Sequence, residues 1–170
     1  DLDCGVTRPQ RLTLRHGQTV VRAVFKTVDF ETDQLSRSTR WEHHFRDSFL
    51  FEVAAYRVDR LLGLNMVPVT VLREVDGRPG SVQAWVEGAM TLERAVAQGV
   101  NPRSPELVPT QFMSMYLLDA LIDNVDRNLG NIRVRPDRDE VYLIDHSRAF
   151  RCRRRLTTCD MYRRDVPVPA

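Results

Sequence analysis

Asp123-Asn-Val-Asp-Arg-Asn-Leu-Gly-Asn-Ile-Arg-Val-Arg-Pro-Asp-Arg-Asp-Glu-Val-Tyr-Leu-Ile-Asp-His-Ser147 is the stretch on which the fold turns. Ile132-Arg-Val-Arg135 alternates β-branched and charged residues, Pro136 to Glu140 is turn chemistry, and Val141-Tyr-Leu-Ile144 reads as a second strand. The pattern predicts an antiparallel hairpin. Centred on Arg138, it sets Ile132 opposite Ile144, Val134 opposite Tyr142 and Asn131 opposite Asp145. Opposed side chains on one face have Cβ atoms about 4.5–5.5 Å apart. An amide oxygen and a carboxylate at that separation can share one Mg²⁺, whose oxygen ligands sit at about 2.1 Å. Asp126, in the loop just before, would face whatever that cation holds. A metal–phosphate site beside a second carboxylate is the machinery of phosphoryl transfer. Asp and Asn are also ordinary turn residues, and on spacing alone that plainer reading stays open.

The basic residues carry a second signal. Of 25 Lys plus Arg, only Lys26 is lysine. It lies in Thr19-Val-Val-Arg-Ala-Val-Phe-Lys-Thr27, a strand by residue type. Alternation puts Lys26 on one face with Val20, Arg22 and Val24, and Val21, Ala23, Phe25 and Thr27 on the other. A compact ammonium on a flexible stem suits a phosphate oxygen in a space too tight for a planar guanidinium. The competing reading is a lysine reaching solvent from a strand edge.

A buried lysine needs a counter-charge. Residues 41–62 contain no Pro or Gly, and Gly63 follows as a C-terminal cap, which predicts one long helix. Phe45, Phe49, Val53, Tyr56 and Arg60 fall along one side of it. Glu52 sits at the edge of this apolar stripe, either as a flank residue or as the partner of a buried cation.

The other segments predict strands over 11–14, 67–75 and 81–87, with Asp76-Gly-Arg-Pro79 as a hairpin turn. Residues 28–40, polar and without apolar rhythm, predict a mobile loop. Thr91 is placed to cap a short helix that Gly99 ends. Residues 102–109 read as a proline-rich connector. A second apolar helix is expected over 110–123, with Phe112, Tyr116, Ala120 and Leu121 on one face. At 170 residues the chain reads as a single domain with two parts, 1–90 and 91–170.

Composition excludes several classes. A formal charge of +2 gives no case for nucleic acid. No run approaches the roughly 20 apolar residues of a membrane span, and no signal peptide opens the chain, so a cytoplasmic setting is expected. Cys4, Cys152 and Cys159 lack zinc spacing. The adjacent His43 and His44 would point about 100° apart on a helix and make poor joint ligands. Arg148, Arg151, Arg153, Arg154 and Arg155, with Arg163 and Arg164, crowd the tail. They read either as contacts for an acidic acceptor or as a solvated tail.

A strand lysine, a helix glutamate, further strands, a helix, then Asp-x4-Asn and a later Asp resembles the protein-kinase-like superfamily in its atypical branches. Asp126-Arg-Asn-Leu-Gly-Asn131-Ile is similar to the Asp-Arg-His-x-x-Asn-Ile loop of phosphoinositide 3- and 4-kinases. Asn124-Val-Asp-Arg127 resembles a stretch shared by the Golgi casein-kinase family and bacterial HipA-type kinases. Leu143-Ile-Asp145-His-Ser stands where these families keep a metal-binding Asp. Glu52 to Pro68 resembles their glutamate helix and its exit. The resemblance covers nearly the whole chain in the expected order.

It implies an α+β, small bilobal fold: an antiparallel β-rich N-lobe with one long helix, then a short, mostly helical, partial C-lobe. It implies ATP with Mg²⁺, or Mn²⁺ in its place, and an acceptor hydroxyl on a protein, lipid or small molecule. Lys26 would hold the α- and β-phosphates, Glu52 would fix Lys26, Asn131 and Asp145 would hold metal, and Asp126 would orient the attacking hydroxyl. Backbone near Trp85 and Val86 would meet adenine. The departures are Asn128 in place of His, His146-Ser147 in place of Phe-Gly, and no Gly-x-Gly-x-x-Gly, with Cys4 to Pro9 as the sole candidate for a phosphate-covering loop. Adenylyl transfer, a catalytically dead nucleotide-binding module and a metal-dependent phosphodiesterase are the alternatives. The last would leave Lys26 and Glu52 unexplained.

Overall fold

A computed structural model describes residues 9–37 and 40–151, with side chains for 9–32 and 45–151. The fold is α+β and antiparallel. Strands β1 (Gln10–His16), β2 (Thr19–Lys26), β5 (Thr70–Val75) and β6 (Arg78–Ala84) form a four-stranded sheet in the order β1-β2-β6-β5. Strands β3 (Asp29–Arg37) and β4 (Arg40–Ser48) make a separate two-stranded ribbon. Strand β7 (Met90–Thr91) pairs with the hairpin of β8 (Ile132–Arg135) and β9 (Glu140–Leu143). The helices are α1 (Phe49–Leu62), α2 (Leu92–Ala97) and α3 (Val108–Leu121). Among the described residues no helix is long and apolar enough to cross a membrane.

Several local signals act as the sequence suggests. Asp76 (φ 51°) and Gly77 (φ 73°) are both left-handed and form a two-residue loop, the twist-matched solution for the β5–β6 hairpin. The Thr91 hydroxyl accepts from the Arg94 N–H at 3.1 Å and starts α2. Gly63 at φ 69° closes α1, its N–H donating to the Arg60 carbonyl.

Three expectations need correction. The predicted helix over 41–62 begins only at Phe49. Residues 40–48 are β4, and the segment read as a mobile loop supplies its partner β3. An aromatic-bearing run without Pro or Gly suits a strand as well as a helix, and the available partner strand decides. Ser48 sets the boundary, its hydroxyl accepting from the Leu50 N–H at 3.2 Å. Second, the β8–β9 register is one residue off: Ile132 opposes Leu143 and Val134 opposes Val141. The loop holds four residues, ends with Asp139 in the left-handed region (φ 53°), and buries Ile132 and Leu143 completely. Third, α3 buries Met115, Leu118 and Asp119, while Tyr116 and Leu121 lie on its outer side.

The main core joins both parts of the chain. Ala55, Met66 and Val67 from the α1 region pack with Met115, Leu118 and Ile122 of the α3 region and with Ile132 and Leu143. The Leu143 N–H donates to the Met66 carbonyl at 2.9 Å, tying β9 to the chain that follows α1. A smaller cluster of Ala23, Phe25 and Val82 fills the four-stranded sheet on the face of β2 away from Lys26. Gly80 lets β6 approach β2 here: a Cβ would collide with the Phe25 ring and the Lys26 carbonyl.

Candidate functional site

Lys26 ends β2, and its side chain is 15% exposed. Its Nζ donates to Glu52 Oε1 and, at 2.8 Å, to Asp145 Oδ1. Three elements distant in the chain therefore meet at one ammonium. Glu52 lies in the first turn of α1 and is 1% exposed. Its second oxygen accepts from the His146 N–H at 3.1 Å. Burial works against both charges, and their mutual attraction overrides it. The Lys26 amine is raised above its ordinary value by Glu52 and Asp145. The Glu52 carboxyl, which burial alone would push up, is held well below the usual carboxylate range by the Lys26 charge and by His146.

Asp145 follows β9 in the left-handed region, φ 63°. That conformation turns the chain sharply out of the strand and brings the carboxylate to Lys26 while leaving the side chain 43% exposed. Asn131 and Asp145 flank the same end of the β8–β9 hairpin, because the Asn131 carbonyl accepts from the Ile144 N–H at 3.1 Å. They are not direct register partners. The Asn131 amide donates to the Asp126 carbonyl at 3.1 Å, which ties it to the preceding loop.

Asp126 is held in that loop by its N–H, which donates to Asn124 Oδ1 at 3.2 Å. Its carboxylate is partly exposed and lies 3.2 Å from Arg148 Nη1. The Arg148 guanidinium in turn sits over the Phe45 ring at 4.9 Å. Trp85 and Val86 lie just beyond β6. The Trp85 N–H donates to the Arg22 carbonyl at 2.9 Å, and Arg11 and Arg22 flank its ring at 5.6 and 5.5 Å. The Val86 carbonyl meets the Ala89 N–H at 3.4 Å. These contacts are separate from the Lys26 cluster. Residues 4–8 of the candidate phosphate-covering loop lie outside the described residues, as do the three cysteines, the His43 and His44 side chains and the arginines beyond Arg151.

Five residues at the site carried no role in the sequence reading: Arg127, Asp119, His146, Asn124 and Asp47. Arg127, buried with its side chain 0% exposed, uses all five N–H groups. Nε and Nη2 form a fork on Asp119 of α3, both at 2.9 Å. Nη1 reaches the Asn131 and Ile144 carbonyls at 2.8 and 2.9 Å, and Nη2 also meets His146 Nε2 at 2.9 Å. Asn124 supports the same carboxylate, donating to Asp119 Oδ1 at 2.8 Å. Asp47, at the end of β4, lines a small recess with Lys26, Val28, Phe49 and Ser147. Burial pushes its carboxyl up, the charge of Asp145 adds to this, and the Ser147 hydroxyl and the Arg148 and Lys26 charges oppose it. Arg127 stands in both quoted motifs, Asn124-Val-Asp-Arg127 and Asp126 to Asn131, but a buried hub depends on chain closure that spacing does not reveal.

Among the described residues no group of three or more His, Cys, Asp or Glu forms a metal cluster. An Asn oxygen with one open carboxylate is instead a sparse, hard donor set. It fits a cation such as Mg²⁺ that keeps several waters and takes other ligands from phosphate. Zinc, which prefers Cys and His, does not fit. No protein-family model matches this chain, and no curated protein matches it.

Proposed function

We propose that the chain is an atypical kinase-like domain that binds Mg-ATP and transfers the γ-phosphoryl group to a hydroxyl. One observation carries the reading: the only lysine of the chain is bonded at once to a buried helix glutamate and to the carboxylate that follows β9. In this reading the four-stranded sheet and α1 form one lobe, and α3 with the β8–β9 hairpin forms part of the other.

Each residue then has a task. Lys26 supplies a fixed positive charge for phosphate oxygens, and Glu52 prevents it from swinging into solvent. Asp145 and Asn131 would hold the metal, the first by its carboxylate and the second by its amide oxygen. When bound, Mg²⁺ neutralises charge on the phosphate oxygens. Asp126 receives or orients the proton of the acceptor hydroxyl once Arg148 has moved aside. Backbone beside Trp85 and Val86 meets the base.

The Arg148–Asp126 pair favours a second reading, a nucleotide-binding module without transfer, because the proposed base is already engaged. Intact-mass measurement after incubation with Mg-ATP separates the two. A phosphate increment that Asp126→Ala abolishes supports the kinase. Mg-dependent thermal stabilisation by ATP without any increment supports the silent module, and a nucleotide increment supports adenylyl transfer. No increment together with no stabilisation by Mg-ATP overturns all three.

A further inference from the structure

We infer that His146 is a positioning residue whose ring, clamped by Arg127, holds both acceptors of Lys26 in place. The inference rests on the ATP-binding reading for its functional consequence, though its geometry does not. His146 is completely buried. An arginine guanidinium never gives up its protons, so the Nε2 atom facing Arg127 Nη2 must accept, and the ring hydrogen resides on Nδ1. Turning the ring over would set Cε1–H against that guanidinium donor, and the other tautomer would set N–H against N–H. Only one orientation is therefore compatible with the five-fold bonded guanidinium.

That orientation has consequences on both sides of the residue. The His146 N–H donates to Glu52 Oε2, the oxygen that Lys26 does not use. The Nδ1 edge, which has no hydrogen-bond partner among the described residues, lies 3.8 Å from the same oxygen. The preceding residue is Asp145, whose left-handed backbone presents the other acceptor of Lys26. One ring thus sets the main chain that grips Glu52 and the exit of the strand that delivers Asp145. The frame behind it, Asp119 on α3 and Arg127 in the loop, reaches the Lys26 cluster through this ring and through the Arg127 bond to the Ile144 carbonyl, one residue before Asp145.

The lone lysine makes the idea measurable. ¹⁵N-lysine labelling yields a single ε-ammonium signal, that of Lys26. His146→Gln can place an amide oxygen where Nε2 now accepts. His146→Asn ends near Nδ1 and leaves that Arg127 donor unmet. Partners one step behind a ligand typically matter about tenfold, so His146→Asn should bind Mg-ATP about tenfold more weakly and His146→Gln within about twofold of wild type. Wild type and His146→Gln should show a slowly exchanging ammonium signal, and His146→Asn a broadened or absent one, at matched far-UV circular dichroism. Equal signals and equal Mg-ATP affinity in wild type and His146→Asn would overturn the inference. Should His146→Asn fail to fold, a folded His146→Gln that has lost the signal overturns it, and one that keeps the signal supports it. If the signals differ as expected while even the wild type ignores Mg-ATP, the positioning role stands and the ATP reading falls.

Discussion

Two cations, one sealed and one partly buried, lie 101 positions apart in the chain and are handled in opposite ways. Arg127 is sealed, all five donors are met, and its partners include two carbonyls, one histidine and a carboxylate on α3. Lys26 is held on one side by a sealed carboxylate and on the other by one that is 43% exposed. The guanidinium builds a frame that cannot exchange partners without breaking. The ammonium sits in a frame with one removable wall. The contrast matches their chemistry: a rigid fork for fixed planar partners, a point charge for a ligand that comes and goes. An exposed pair, Arg22 with Glu87 beside Trp85, shows the third possibility, a contact screened by water from the start.

The largest effect should come from breaking the sealed frame. Arg127→Met strips Asp119 of its guanidinium and leaves the Asn131 and Ile144 carbonyls without that donor, at a cost of about 3–5 kcal/mol in urea unfolding. Arg127→Lys should recover little of this, since three donors cannot replace a five-donor fork. A variant within about 1 kcal/mol of wild type would show that the frame is ornamental.

Glu52→Gln comes next. It removes the sealed charge but keeps the shape, and a loss of about 1.5–3 kcal/mol is expected for a charged, buried hydrogen bond. The same variant sharpens the pH behaviour. The Glu52 carboxyl is depressed in the folded state from an ordinary 4.5, so its contribution is present above pH 4.5 and fades as pH falls through the lower folded value. Lys26 is raised from 10.5, so its contribution is present below pH 10.5 and fades only above it. Wild type should therefore lose stability in acid faster than Glu52→Gln, while neither group tilts the profile between pH 6 and 9. Parallel acid curves for the two proteins would contradict the assignment.

Opening the removable wall is milder. Asp145→Ala should lower the melting temperature only slightly, because its carboxylate is half in water, yet it should abolish the Mg-dependent part of any stabilisation by ATP. Equal stabilisation by ATP with Mg²⁺ and with a chelator would remove the metal from the site. The smallest effect belongs to Arg22→Gln, for which thermal unfolding should be unchanged within error. A clear drop would mean that the Trp85 region is more rigid than its exposure suggests.

Legibility in the sequence followed the range of the physics involved. The Asp76-Gly77 loop, the Thr91 cap and the Gly63 stop were readable because each depends on a few adjacent residues. The lone lysine and the glutamate on an apolar stripe were readable as partners because charge burial demands compensation. The ribbon was not: residues 40–48 have helix-compatible composition, and only pairing with a polar strand makes them β. The hairpin register slipped by one because turn length, set by Asp139 in the left-handed region, outweighed the symmetry assumed about Arg138. The Asp119–Arg127–His146 hub was invisible because its members meet only after α3 has packed against the hairpin.

The ribbon passes into α1 at Ser48 with no intervening linker, and two main-chain bonds rivet the junction: the Ser48 N–H to the Ser147 carbonyl and the Phe49 N–H to the Val28 carbonyl, both at 2.8 Å. Ribbon and helix are therefore one crank with its bearing at Ser48. Glu52 rides one turn beyond that bearing. The start of the helix that carries the partner of Lys26 is thereby pinned from two sides, by the chain that follows Lys26 and by the chain that follows Asp145.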